Sequence, residues 1–380
     1  MNAKNETRLT RRAWMLLGGV LMTGCGGGGS GQSASLPGTG GTGAVLSQGT
    51  ISGFGSVIVN GTKFNDQQAI ISMDGSQVLS TDLRLGMVVE IQAQRSADRT
   101  VGTASSIEVW TQARGAISAV VTGGFQVSGM TILCDAATAL EGFSTLADIT
   151  LGDTVNVWAL QNLANASQWL ATRVAKVASG GPNVSTGYVQ VSGTNLIVNG
   201  ITLLGAMATE LHIGTLVRVQ GQLSSPTVMQ LTTLRTTTIG NVGQEGSNVE
   251  LEACITEITD TTHFKIGTTA VDTSTLATQL TGQLNLGDRV EVYGIWRSGI
   301  LVASSVTVET EQEAQSAEIT GTVSTITDLA NFIVRGEICD GSHAIFSHGT
   351  SSDLKLGALV QIKGSRSGST LIADSVDFMN

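Results

Sequence analysis

Five stretches of this chain repeat one alternation of apolar and polar residues: LRLGMVVEIQA from Leu83, ITLGDTVNVWA from Ile149, LHIGTLVRVQG from Leu211, LNLGDRVEVYG from Leu284 and LKLGALVQIKG from Leu354. Each reads as a turn followed by a strand in which every second side chain is Val or Ile, the period of a strand with one face in a core. The inward pairs are Val89 and Ile91, Val155 and Val157, Val217 and Val219, Val290 and Val292, and Val360 and Ile362. The turn glycines Gly86, Gly152, Gly214, Gly287 and Gly357 recur at intervals of 66, 62, 73 and 70 residues, which is the mark of tandem modules.

The next inward position is always small: Ala93, Ala159, Gly221, Gly294 and Gly364. That predicts a sharp bend, or a close backbone approach, where a small sheet curls into a barrel. One more strand follows in each copy, from Ala104, Ala171, Leu231, Ala303 and Ala373. Upstream, VIVNG ending at Gly61, LIVNG ending at Gly200, Asp74-Gly75 and Asp340-Gly341 are hairpin signals. Five strands in roughly 60 residues is the size of an OB-like barrel.

The predicted fold is therefore all-β, a tandem array of about five small OB-like β-barrels. Its expected divisions are a signal peptide at 1–24, a tether at 25–47, and repeats at 48–111, 112–181, 182–243, 244–312 and 313–380.

Composition agrees with short strands and tight turns: 48 glycines, 3 prolines, 4% aromatic residues and 13% charged residues in a chain that is 41% hydrophobic. The formal charge is −10, and without the first 24 residues 16 Lys and Arg face 29 Asp and Glu. Nucleic acid is excluded as a partner on this ground, because no basic stripe is present to neutralise phosphates.

The N-terminus adds an address. Lys4, Arg8, Arg11 and Arg12 precede an apolar run from Ala13 to Met22, and Thr23-Gly24-Cys25 closes it. The run is too short to span a bilayer and reads as a signal peptide. Small residues before a cysteine resemble the lipobox of bacterial lipoproteins, which implies lipidation of Cys25 as the membrane anchor. Thr10-Arg11-Arg12 also fits twin-arginine export. The Gly/Ser/Thr-rich segment behind Cys25 is a flexible tether. The expected location is the bacterial cell envelope, at the outer membrane, facing the periplasm or the surface.

The stretch from Gly49 to Ile91, G-x-I-S-G-F-G-S-V-I-V-N-G followed by L-x-x-G-M-V-V-E-I, resembles bacterial secreted proteins and lipoproteins with tandem copies of the domain of unknown function numbered 5666. The resemblance is sharpest in the first copy. It implies small β-barrels in the cell envelope and supplies no catalytic residues.

The remaining chemistry-bearing residues form no familiar constellation. Cys134, Cys254 and Cys339 allow at most one bridge; buried free thiols are expected, with a Cys254–Cys339 bridge as the alternative. His343 and His348 match no zinc signature, so no metal and no cofactor is expected. Gly53-Phe54-Gly55 lacks the helix and the Lys-Ser/Thr of a phosphate loop, and its glycines suit turns and barrel bends. Glu309 and Glu311 read as a solvated linker.

One set of side chains suggests contact chemistry. Alternation places Trp158 and Tyr293 on the outside of their barrels, with Trp169 and Trp296 in the following turns. Outward aromatics in so aromatic-poor a chain serve either packing between barrels or a stacking platform for sugars, and the first is favoured. The reading that results is a non-catalytic, lipid-anchored scaffold or binding protein, with an envelope protein or polysaccharide as partner. Its rivals are a carbohydrate-binding lipoprotein and a hydrolase with a site between barrels.

Overall fold

The computed structural model describes residues 43–162, 168–236, 245–276 and 284–379; the signal peptide, Cys25 and residues 26–42 of the tether lie outside them. Barrel one contains β1 (Gly43–Phe54), β2 (Val57–Val59), β3 (Thr62–Asn65), β4 (Ile70–Met73), β5 (Ser76–Gln77), β6 (Val88–Arg95) and β7 (Val101–Val109). Barrel two contains β8 (Ala113–Val121), β9 (Gly124–Val127), β10 (Met130–Leu133), β11 (Ala139–Glu141), β12 (Thr154–Gln161) and β13 (Gln168–Lys176). Barrel three contains β14 (Asn183–Ser192), β15 (Asn195–Val198), β16 (Ile201–Leu204), β17 (Leu216–Ser225) and β18 (Val228–Thr236). Barrel four contains β19 (Asn248–Ile258), β20 (His263–Ile266), β21 (Thr269–Asp272), β22 (Arg289–Arg297) and β23 (Ile300–Val308). A short helix, α1 (Glu311–Gln315), leads into barrel five: β24 (Ser316–Asp328), β25 (Asn331–Val334), β26 (Glu337–Asp340), β27 (Ile345–Ser347), β28 (Leu359–Ser367) and β29 (Thr370–Phe378).

Every copy closes the same ring. In barrel five β24 pairs antiparallel with β25, β25 with β26, β26 runs parallel to β29, and β29 returns through β28 to β24. This one-two-three-five-four-one order is that of an OB-like barrel. The ten inward residues named from the repeated strand are at most 1% exposed, so the alternation reads the core face correctly in all five copies.

The small residues sit where the ladder shifts register. A bulge falls between Gln92 and Ala93, Trp158 and Ala159, Gln220 and Gly221, Tyr293 and Gly294, and Lys363 and Gly364. At Gly364 a Cβ would stand 2.0 Å from the carbonyl oxygen of Ile372, so the bend brings two backbones too close for a side chain.

Two expectations are corrected. Residues 43–47, assigned to the tether, begin β1, because Val45 and Leu46 are apolar enough to be buried. Asp340-Gly341 is not a hairpin: β26 and β27 on either side of it both run parallel to β29, and the hairpin of that copy turns at Arg335-Gly336, where both φ angles are positive.

The barrels do not follow one another like beads. Strands of barrels one, four and five join in one sheet, and those of barrels two and three in another. The organising strand is β1. Residues Val45 to Gln48 pair in parallel with Asn248 to Leu251 of barrel four, and Gly53 and Phe54 pair with Glu318 and Ile319 of barrel five. Gly53 is required there, since a Cβ would lie 2.3 Å from the Glu318 carbonyl oxygen.

Candidate functional site: the seams around the first barrel

Barrel one meets each of the other four, and the seams are built from buried arginines. At the seam with barrel four, Arg95 reaches Glu250 at 2.5 Å, with side chains only 3% and 1% exposed. Ser47 donates to the same carboxylate at 3.4 Å, and Thr50 gives Glu252 both its backbone N–H at 2.7 Å and its hydroxyl at 3.0 Å. Glu252 also holds Arg289.

Toward barrel two, Arg173 donates to the carbonyl oxygen of Leu85 at 2.8 Å and pairs with Glu141 at 2.5 Å. The Leu85 N–H is taken by Glu337 of barrel five at 2.9 Å. Toward barrel three, Arg218 pairs with Asp74 at 2.8 Å and donates to the carbonyl oxygen of Thr111, while Arg235 lies 3.9 Å over the Trp110 ring. A buried guanidinium loses hydration, and these geometries return hydrogen bonds and a charge or an aromatic face in exchange.

The four candidate aromatics are placed by this arrangement. Tyr293 does face outward, into the seam with barrel one: Arg95 and Arg99 stack on its ring at 4.9 and 4.6 Å, and its hydroxyl lies 3.0 Å from Asn248 Oδ1. Trp158 also points away from its own core, but it is only 2% exposed and joins the apolar cluster of barrels one and five with Leu160 and Ala175. It is no solvent-facing platform. Trp169 and Trp296 are corrected outright: both are core residues of their own barrels, 5% and 6% exposed, because the strands that carry them begin or end one residue into the ladder rather than in a turn.

Carboxylates crowd the fourth barrel's seam. Glu291 lies directly across the ladder from Glu252, and burial, then Glu250 and Glu252, push its carboxyl up to about 8. Glu309 is no solvated linker residue. It meets Arg289 at 2.6 Å, and burial followed by the Glu252 charge raises it to about 7. Sequence reasoning missed Glu250, Glu252 and Glu291; their only signal was charge at alternate positions of two strands otherwise read as one-faced.

Among the described residues, no three His, Cys, Asp or Glu side chains gather as a metal site. His343 is exposed, and His348 is bonded to Asp377 at 2.5 Å. His263 contacts Asp260 and Thr262 through Nδ1 at 3.0 Å, and its Nε2 lies 3.6 Å from Asp272. Cys134, Cys254 and Cys339 are free, and burial pushes each thiol up to about 12, which leaves them unreactive.

Closed five-stranded rings in tandem, joined by polar seams, define a repeat protein of OB-like barrels. The family described as Domain of unknown function (DUF5666) matches residues 114–175, 252–307 and 320–377, so the chain carries three matched copies of that domain, in barrels two, four and five. The Gly49–Ile91 stretch that carried the resemblance in the sequence is not among the matched segments. No curated protein matches the chain.

Proposed function

We propose that this protein is a non-catalytic scaffold of the bacterial cell envelope, held to a membrane by a lipid on Cys25. The observation that carries the reading is the position of β1. The glycine-rich tether leads straight into this strand, and β1 pairs with barrels four and five as well as closing barrel one. An anchor at Cys25 therefore holds the body through the strand that organises it. Buried arginine seams make that body one compact unit rather than five independently swinging modules, as suits a scaffold. The carbohydrate reading loses its Trp158 platform to burial.

The test is Cys25→Ser, expressed in the native host. The variant is expected in the soluble envelope fraction, with unchanged far-ultraviolet circular dichroism, while the wild type takes up labelled fatty acid and sediments with membranes. A variant that stays membrane-bound, beside a wild type that takes up no label, refutes the anchor.

A further inference from the structure

A cavity of about 560 Å3 lies against barrel one where barrel four begins, a volume in the range of small-molecule sites. Strands β1, β6 and β7 contribute most of its lining, and Ser247 and Asn248 at the start of β19 the rest. Its polar side chains are Gln92, Gln94, Thr103, Ser105, Ser247 and Asn248; no charged side chain and no aromatic ring joins them. Among the apolar residues, Ala44, Ala93 and Ala104 are small enough to leave room for a ring.

Several of the polar groups are unspent. Gln92, Gln94 and Thr103 are exposed, and their side chains make no hydrogen bond among the described residues. Register sets them in order. Gln94 pairs with Ala44 on one side and Thr103 on the other, and Gln92 stands about 7 Å along β6 on the same face. Asn248 accepts the Tyr293 hydroxyl through Oδ1 at 3.0 Å, which orients its carboxamide and leaves Nδ2 to donate.

This lining selects its occupant. An ion entering here loses hydration and finds no opposite charge in return. An extended peptide needs an open strand edge, yet β1 is paired with β6 and β19, β6 with β1 and β7, and β7 with β6 and β3. What remains on offer is side-chain carboxamides and hydroxyls. Each carboxamide presents a donor and an acceptor side by side, the complement of neighbouring hydroxyls on a sugar. We propose that this face of barrel one binds an uncharged saccharide, held by hydrogen bonds from Gln92, Gln94, Thr103 and Asn248 rather than by stacking. Such binding is independent of the anchor at Cys25 and of Trp158.

The experiment is calorimetric titration of the purified full-length chain, in a detergent without a sugar headgroup, with cellobiose and N,N′-diacetylchitobiose. Cellobiuronic acid and de-acetylated chitobiose are their charged counterparts, and N-acetylglycinamide is an uncharged peptide probe. Saturable binding is expected for at least one neutral disaccharide, with its charged counterpart at least about tenfold weaker. Gln92→Leu and Gln94→Leu keep the side-chain length and remove the amide. At least one of them should weaken binding about tenfold, with thermal melts unchanged because both side chains are exposed. Saturable binding of neither disaccharide, an equal response to the charged counterpart or to the peptide probe, or wild-type affinity in both glutamine variants overturns the proposal.

Discussion

Arg95 in the first barrel and Glu250 in the fourth are 155 residues apart in sequence and form a 2.5 Å ion pair, almost wholly shielded from water. Removing one partner leaves the other charged and buried. Arg95→Ala is therefore expected to cost about 3–5 kcal/mol in denaturant unfolding, and Arg95→Met combined with Glu250→Leu to recover most of it. A loss below about 1 kcal/mol in the single variant would show that water reaches the pair.

Protons should stabilise the fourth barrel's seam. In the fold Glu291 and Glu309 are raised from 4.5 to about 8 and about 7, so between 4.5 and 8 the folded state binds more protons than the unfolded chain. Their contribution is complete below 4.5 and is lost as pH rises through 7 and 8. Urea midpoints should therefore fall from pH 6 to pH 9, and Glu291→Gln should flatten the decline. A midpoint that rises over this interval is the contrary result.

The two outward aromatics should differ in what they contribute. Trp158→Ala opens a cavity among three barrels and should cost about 3–5 kcal/mol, comparable with a core truncation. Tyr293→Ala removes a half-buried ring and its two guanidinium contacts, for about 1–3 kcal/mol. Thermal melts of the two variants check the order, and an unchanged melt for Trp158→Ala would contradict its burial.

Strand β1 is predicted to be the point of greatest sensitivity. Ser47 is fully buried and is paired on both sides, with Ile91 and with Glu250. Ser47→Pro deletes an N–H from this shared ladder and should destabilise the body by about 3 kcal/mol or more. Limited proteolysis should then cut within β19 of barrel four, which is paired with β1 in the wild type. Retained resistance would mean that β1 does not hold barrel four in place.

Much of each barrel was legible in the chain. Val155 and Val157, or Val290 and Val292, announce a half-buried strand because alternation is local and a strand presents successive side chains to opposite faces. The bulge before Gly294 was foreshadowed by the same logic, a small residue where larger ones would collide. Trp169 and Trp296 were misplaced because the strands run further than the repeated phrase announces: Trp296 continues the inward alternation of Val290, Val292 and Gly294 to the end of β22, and Trp169 is already the second residue of β13.

The sequence by itself determined that there are five barrels, which faces of their strands turn inward, and that Trp158 and Tyr293 point out. Only the tertiary structure decided what those outward residues meet. Glu250 reads as an ordinary surface carboxylate until Ser47 and Arg95 are set against it, and Trp158 as a solvent-facing ring until another barrel covers it. Periodicity spans a few residues along one strand, whereas the seams depend on how β1 pairs with strands about two hundred residues away, and that choice is made by the summed burial and hydrogen bonding of whole barrel surfaces.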